Sequence, residues 1–97
     1  MLWSMLWTDQ AVRDLSRLDP TIGRRVMRKL GQAAEDPVRL FSRLVGFDDH
    51  KLRIGDYRLL ATLVHDTKVI IVERVDHRSR IYDRARRAAA KGERQGG

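Results

Sequence analysis

Lys51, Arg53 and Arg58 all fall in the single stretch KLRIGDYR. Alternation over residues 50–54 predicts a strand with Lys51 and Arg53 on one face and Leu52 and Ile54 on the other. Gly55-Asp56 reads as a two-residue hairpin turn, the glycine supplying positive φ. Such a turn brings Arg58 back beside Arg53, and two like charges side by side repel. A solvated surface tolerates that repulsion, whereas an anion seated between the two would convert it into attraction. A second polar group, His77, Arg78, Arg80 and Tyr82, leaves the last strand in HRSRIY. Read by itself, Tyr82 is an aromatic at the edge of a core, and Arg78 and Arg80 are the solvated end of a strand.

These side chains need a scaffold, and 97 residues supply one small domain. We expect residues 1–90 to form it and 91–97 to be a flexible basic tail. A hydrophobic fraction of 42% is enough for a packed core and too high for a disordered chain. With no cysteine there is neither a disulfide scaffold nor a thiolate zinc site, which fits a reducing, cytoplasmic setting. The three histidines are far apart, and no glycine-rich phosphate loop or nucleophile elbow is present, so no metal and no small-molecule cofactor is expected. The apolar runs are too short for a membrane span. The net charge is +7, and the last 21 residues hold +5 of it, a field that favours polyanionic partners.

The order of elements predicts an α+β domain, β-α-α-β-β-β, with an N-terminal helical hairpin packed on a four-stranded antiparallel or mixed sheet. Residues 3–8 alternate as a strand. The repeat of MLWS as MLWT leaves Met1 and Met5 both open as the start. Asp9 offers an N-cap to a helix over 10–18, with Ala11, Val12, Leu15 and Leu18 inward and Arg13, Asp14 and Arg17 outward. Asp19-Pro20 starts a second helix, with Ile22, Val26, Met27, Leu30, Ala33 and Ala34 as its apolar stripe and Arg24, Arg25, Arg28 and Lys29 opposite. Asp36-Pro37 stops it. Residues 38–49 read as a connection anchored by Phe41, Leu44 and Phe47. The strands at 57–64 and 68–75 are apolar on both faces, so both must be covered, one by the hairpin and one by the C-terminal segment or a partner. Ala88 to Ala90 favour a short C-terminal helix.

Three segments in order, WTDQAVRDLSRL, KLRIGDYRLLATL and VDHRSRIY, with a helical hairpin ahead of the last two, give the chain a family likeness. It resembles the RelE/ParE toxin superfamily, on the RelE side, over residues 5–84. The resemblance implies a toxin of a type II toxin–antitoxin system, a ribosome-dependent endoribonuclease that cleaves messenger RNA. It implies Lys51 as a catalytic lysine, Arg53 as a further basic residue, Arg58 as a phosphate-binding arginine, and Arg78, Tyr82 and His77 as the remaining catalytic candidates. It also implies RNA binding by Lys51, Arg53, Arg58, Arg78, Arg80 and Arg84, and a cognate, RelB-like antitoxin beside the ribosome and mRNA as partners. The sequence departs from the family pattern at Arg53, where RNA-cleaving members carry a lysine, and in the short spacing from Arg78 to Tyr82.

The residue types suit that chemistry. When a 2′-OH attacks the adjacent phosphorus, the phosphorane gains negative charge, and fixed cations stabilise it more than the ground state. An arginine cannot act as a base, so Arg53 contributes electrostatics. A tyrosine, ordinarily titrating near 10, becomes a base when neighbouring cations favour its phenolate, while a histidine near 6.5 needs no such help. Tyr82 and His77 both stand as the base, with Arg78 at the phosphate and available as the acid. Two alternatives share the fold and the charge: a non-catalytic, ParE-like inhibitor of DNA gyrase, and a basic RNA-binding domain without a reaction.

Overall fold

The computed structural model describes residues 2–43 and 49–82. Leu44 and Phe47, Arg84, the alanines at 88–90 and the 91–97 tail lie outside them. The period-two alternation of the N-terminal segment forms strand β1 (Ser4–Trp7), one residue shorter at each end than the pattern predicts. Thr8 ends it and, rather than Asp9, caps helix α1 (Asp9–Ser16). Both residues are competent caps. Thr8 prevails because its hydroxyl has two partners, accepting from Ala11 N at 3.1 Å and donating to Glu73 O at 3.2 Å.

The stripe on α1 is rotated from the expected one. Asp14, expected outside, is 3% exposed, while Val12, expected inside, is 53% exposed. The reason is an edge left open by β1. That strand pairs in parallel with β5 (Val69–His77) only as far as Val72. Beyond that point α1 supplies the missing partners: Asp14 accepts from Val75 N at 3.0 Å and from Gln10 Nε2 at 2.9 Å. Asp14 also draws Arg74 Nε to 3.6 Å.

Helix α2 (Pro20–Ala33) begins as predicted, Asp19 accepting from Thr21 N at 2.9 Å with Pro20 in the first turn. It buries Val26, Leu30 and Ala33, but Met27 lies on the flank and is 45% exposed. It also stops earlier than the Asp36-Pro37 signal. Pro37 instead opens a short helix, α3 (Pro37–Leu40), in what reads as a connection. Strand β2 (Ser42–Arg43) follows, too short to carry any periodic signal, and makes the sheet five-stranded rather than four-stranded.

Strands β3 (His50–Ile54) and β4 (Tyr57–Val64) close the hairpin over Gly55, whose φ is 57°. The sheet order is β1-β5-β4-β3-β2, with β1 parallel to β5 and every other pair antiparallel. One irregularity sets the facing of β5. Leu60 pairs with Arg74 and Ala61 with Val72, so Glu73 is the extra residue of a β-bulge. The bulge lets Val72 and Val75, three apart, both enter the core, fully buried.

That core joins Ala11, Val26, Leu30 and Phe41 to Leu52, Leu59, Ala61, Ile70, Val72 and Val75. The opposite face carries a separate small cluster, Leu60 with Ile81, and Tyr82 packed against it. Residues 78–82 turn into a helix after β5 and supply the cover that the apolar strands require.

Candidate functional site

Register fixes the cationic group. In β3 the alternation leaves Leu52 and Ile54 buried, with Lys51 half-buried and Arg53 exposed on the other face. Arg53 is the direct cross-strand neighbour of Arg58 and Lys51 of Leu60, so all three cations stand on the face that carries Leu60 and Ile81. The expected Arg53–Arg58 proximity is therefore real, but the two arginines differ in kind. Arg58 is 9% exposed, and its Nη1 donates to Gly55 O at 2.7 Å and to Tyr57 O at 2.8 Å. The turn that returns the chain thus also pins the guanidinium. Its conformational freedom is lost on folding, before any ligand arrives.

A cleft of about 440 Å³ opens beside it, lined by Lys29, Leu40, Ser42, Lys51, Leu52, Arg53, Arg58 and Tyr82. Four of the sequence-derived candidates, Lys51, Arg53, Arg58 and Tyr82, thus share one space. Lys51 Nζ sits 5.9 Å from the centroid of the Tyr82 ring, at cation–π range. Tyr82 is held there by Ile81, fully buried against Leu60. Lys29 was not among the candidates. Helical spacing puts it on the outward side of α2, and the packing of α2 beside β3 directs it to the cleft.

Among the described candidates, His77, Arg78 and Arg80 do not line this cleft. His77 is the cross-strand partner of Tyr57, one position from Arg58 and so on the opposite face, with ring centroids 5.4 Å apart. Its Nδ1 lies 2.9 Å from the Ser79 hydroxyl and accepts from Ser79 N at 3.2 Å, capping the helix that begins there. Arg78 faces the hairpin turn: its N–H donates to Asp56 O at 2.8 Å and its Nε lies 3.8 Å from Asp56 Oδ1. Arg80 contacts the buried Asp76 carboxylate, Nη2 to Oδ1 at 3.1 Å.

A different cluster of polar groups surrounds Glu73. Thr62 Oγ1 lies 3.3 Å from Asp49 Oδ1 and 3.2 Å from Glu73 Oε2. The hydroxyl has one proton to donate between these two carboxylates, and Glu73 is also hydrogen-bonded to Asp49. Burial, and then the hydrogen bond and charge of Asp49, push Glu73 up to about 7. His50 next to Asp49 moves the other way: burial first, then the charge of Arg43, hold it below its ordinary value. Among the described residues no three His, Asp or Glu side chains converge as a metal site would require. Among the same residues no helix is long and apolar enough to cross a membrane.

Residues 5–82 match the family described as the ParE toxin of type II toxin–antitoxin systems. The chain belongs to the RelE/ParE toxin superfamily. Within it, the chain is 34% identical over 89 residues to toxin RelG of Mycobacterium tuberculosis, covering 87% of this chain and 100% of that relative. The toxin–antitoxin complex RelBE2 of the same organism contains a chain that superposes with a TM-score of 0.74 at 29% identity, over 79% of this chain and 99% of that one. An archaeal RelE–RelB complex from Pyrococcus horikoshii shares the fold at 24% identity, TM-score 0.67, over 82% and 99% of the two chains. The chain is thus a RelE-like toxin of the type II toxin–antitoxin class.

Proposed function

We propose that this RelE-like toxin is an endoribonuclease that cleaves messenger RNA on the ribosome and so stops translation. The observation that carries the reading is the gathering of Lys51, Arg53, Arg58 and Tyr82, with Lys29, around one cleft. In the reaction the 2′-oxygen bonds to the adjacent phosphorus and the bond to the 5′-oxygen breaks, leaving a 2′,3′-cyclic phosphate and a 5′-hydroxyl. A base takes the 2′-OH proton and an acid returns one to the leaving oxygen. The phosphorane between these events carries more negative charge than the diester. Arg58, pinned and buried, supplies a cation that needs no reorganisation as that charge develops, with Lys51 and Arg53 beside it.

Tyr82, at the cleft beside the Lys51 ammonium, is the stronger of the two base candidates, since His77 lies on the far face. Arg78 reaches a bound phosphate by leaving Asp56. The side chains of that pair are 58% and 68% exposed, a setting in which an ion pair is worth about 0–1 kcal/mol, so release costs little. Arg78 then contacts the phosphate and is the candidate for the acid. Arg80 and Arg84 are further RNA-binding candidates by their charge.

The partner is a cognate, RelB-like antitoxin. The relatives in the RelBE2 and archaeal RelE–RelB structures are each held in a toxin–antitoxin complex. Here, Leu2, Met5, Leu6, Val12 and Val38 present exposed apolar surface beside a net charge of +7. The test is primer extension on a programmed ribosome after adding purified toxin, with ribosome-free RNA alongside. Cuts confined to the ribosomal A site are expected. Cuts on free RNA alike would remove the ribosome from the reading. No cuts by toxin that still binds its antitoxin would favour the gyrase inhibitor, which the ParE description of the matched family keeps in view.

A further inference from the structure

A second basic cleft adjoins the first. It encloses about 230 Å³ and is lined by Arg25, Arg28, Lys29, Gln32, Arg53, Ile54 and Gly55. Its helical side follows from spacing: Arg25, Arg28, Lys29 and Gln32 stand at i, i+3, i+4 and i+7 on α2 and so share one face. Its strand side is the end of β3, where Gly55 permits close approach. A Cβ at Gly55 would lie 3.0 Å from Arg25 Nη2, so the guanidinium rests against the turn. Helix α2 contains no acidic residue. Among the described residues, the ion pairs engage Arg74, Arg78 and Arg80, not these cations. Four cations gathered around a concavity with no countercharge among the described residues repel one another, and a bound polyanion relieves that repulsion.

The two clefts share Lys29 and Arg53. A ligand in one is therefore within reach of residues that line the other, as a chain of successive phosphates requires and an isolated anion does not. We infer that the α2–β3 cleft is a phosphate-binding subsite for the same RNA strand, holding the backbone next to the scissile position while Lys29 and Arg53 bridge the two clefts. This rests on the nuclease reading above. A polyanionic strand fits both the continuity and the lack of acids among the described residues better than a peptide, since of the described lining only Ile54 offers an apolar anchor.

The experiment measures binding of a single-stranded 2′-O-methyl RNA oligonucleotide, which cannot be cleaved, by fluorescence anisotropy across a salt series. In parallel it measures single-turnover cleavage on programmed ribosomes. The variant combines Arg25→Ala and Arg28→Ala, both exposed helix positions where alanine keeps the helix. Arg25→Lys with Arg28→Lys retains the charge, and Arg24→Ala removes one charge from the same helix outside the cleft. The double alanine variant is expected to bind roughly tenfold more weakly and to lower the slope of log affinity against log salt by about 1.4, or about 0.7 per phosphate lost. At sub-saturating toxin its single-turnover cleavage is expected to fall by a similar factor. The lysine variant and Arg24→Ala are expected to bind close to wild type.

Wild-type binding with an unchanged double variant would overturn the subsite and leave the nuclease reading standing. An equal loss in Arg24→Ala would reduce the cleft to general field and overturn it as well. Wild-type toxin that cleaves on ribosomes yet does not bind the oligonucleotide would overturn assignment to the substrate strand. A loss confined to affinity for the purified antitoxin would assign the cleft to protein and likewise overturn it. A wild-type toxin that neither binds nor cleaves RNA would remove the nuclease reading and this inference together.

Discussion

The two faces of the sheet are built on opposite terms. Under the helices, Leu52, Leu59, Ala61, Val72 and Val75 pack against Val26 and Leu30 with essentially no exposure, and this face holds the fold. On the other face, among the described residues, Leu60, Ile81 and part of Tyr82 form a small patch beside Lys51, Arg53 and Arg58. The first face gains from burial in proportion to its area. The second gives up burial to gather cations, and uses a little apolar contact to seat one tyrosine. A strand that alternates can serve both ends at once, since each residue commits to one face and leaves its neighbour to the other.

The largest expected effect that would break this division lies on the cationic face. Tyr82→Phe keeps the ring against Leu60 and Lys51 and removes the hydroxyl, and cleavage in a single-turnover assay is expected to fall by roughly 10²–10⁴. A wild-type rate would move the base to His77. Arg58→Ala is expected to cost about 10²–10³ in the same assay. Arg58→Lys should restore only part of that, because an ammonium cannot reproduce the planar guanidinium fork.

On the helix-covered face the expectation reverses. Leu59→Ala should lower unfolding free energy by about 2–5 kcal/mol in a urea titration, with an unchanged rate per folded molecule. If its rate falls as steeply as that of Arg58→Ala, the two faces are not separable.

The smallest effect concerns pH. Glu73 is pushed up to about 7 in the fold from its ordinary 4.5, so between these values the folded protein holds a proton that the unfolded chain has lost. Its contribution to stability is therefore complete below about 4.5 and is lost as pH rises through about 7. Thermal denaturation of wild type should show this decline across that window. Glu73→Gln, which keeps a neutral hydrogen-bonding group beside Asp49, should flatten it. The same slope in both proteins would place the titration elsewhere.

Much of the fold was legible because it depends on local signals. The hairpin at Gly55, the Asp19-Pro20 start, the strand at 50–54 and the basic face of α2 all follow from residues close in sequence. The errors share one cause. Asp14 reads as an outward helical position until β1 stops at Val72 and leaves Val75 N–H in need of an acceptor. Thr8 outranks Asp9 only because Glu73 O is within reach. Strand β2 is two residues long and gains its identity from pairing with β3 alone. The Glu73 bulge is likewise invisible locally, since it exists only as a mismatch with β4.

The family, the cationic residue set and the alternation that puts Lys51 and Arg53 on one face are all written along the chain. Which members of that set converge is settled by packing. It brought Lys29 in from α2, pinned Arg58 to the carbonyls of its own turn, and turned Arg78 toward Asp56 and His77 toward Tyr57. The physical reason is that electrostatic fields act through space. Two charges far apart in the chain cooperate once packing places them a few ångströms apart, and local periodicity carries no record of that distance.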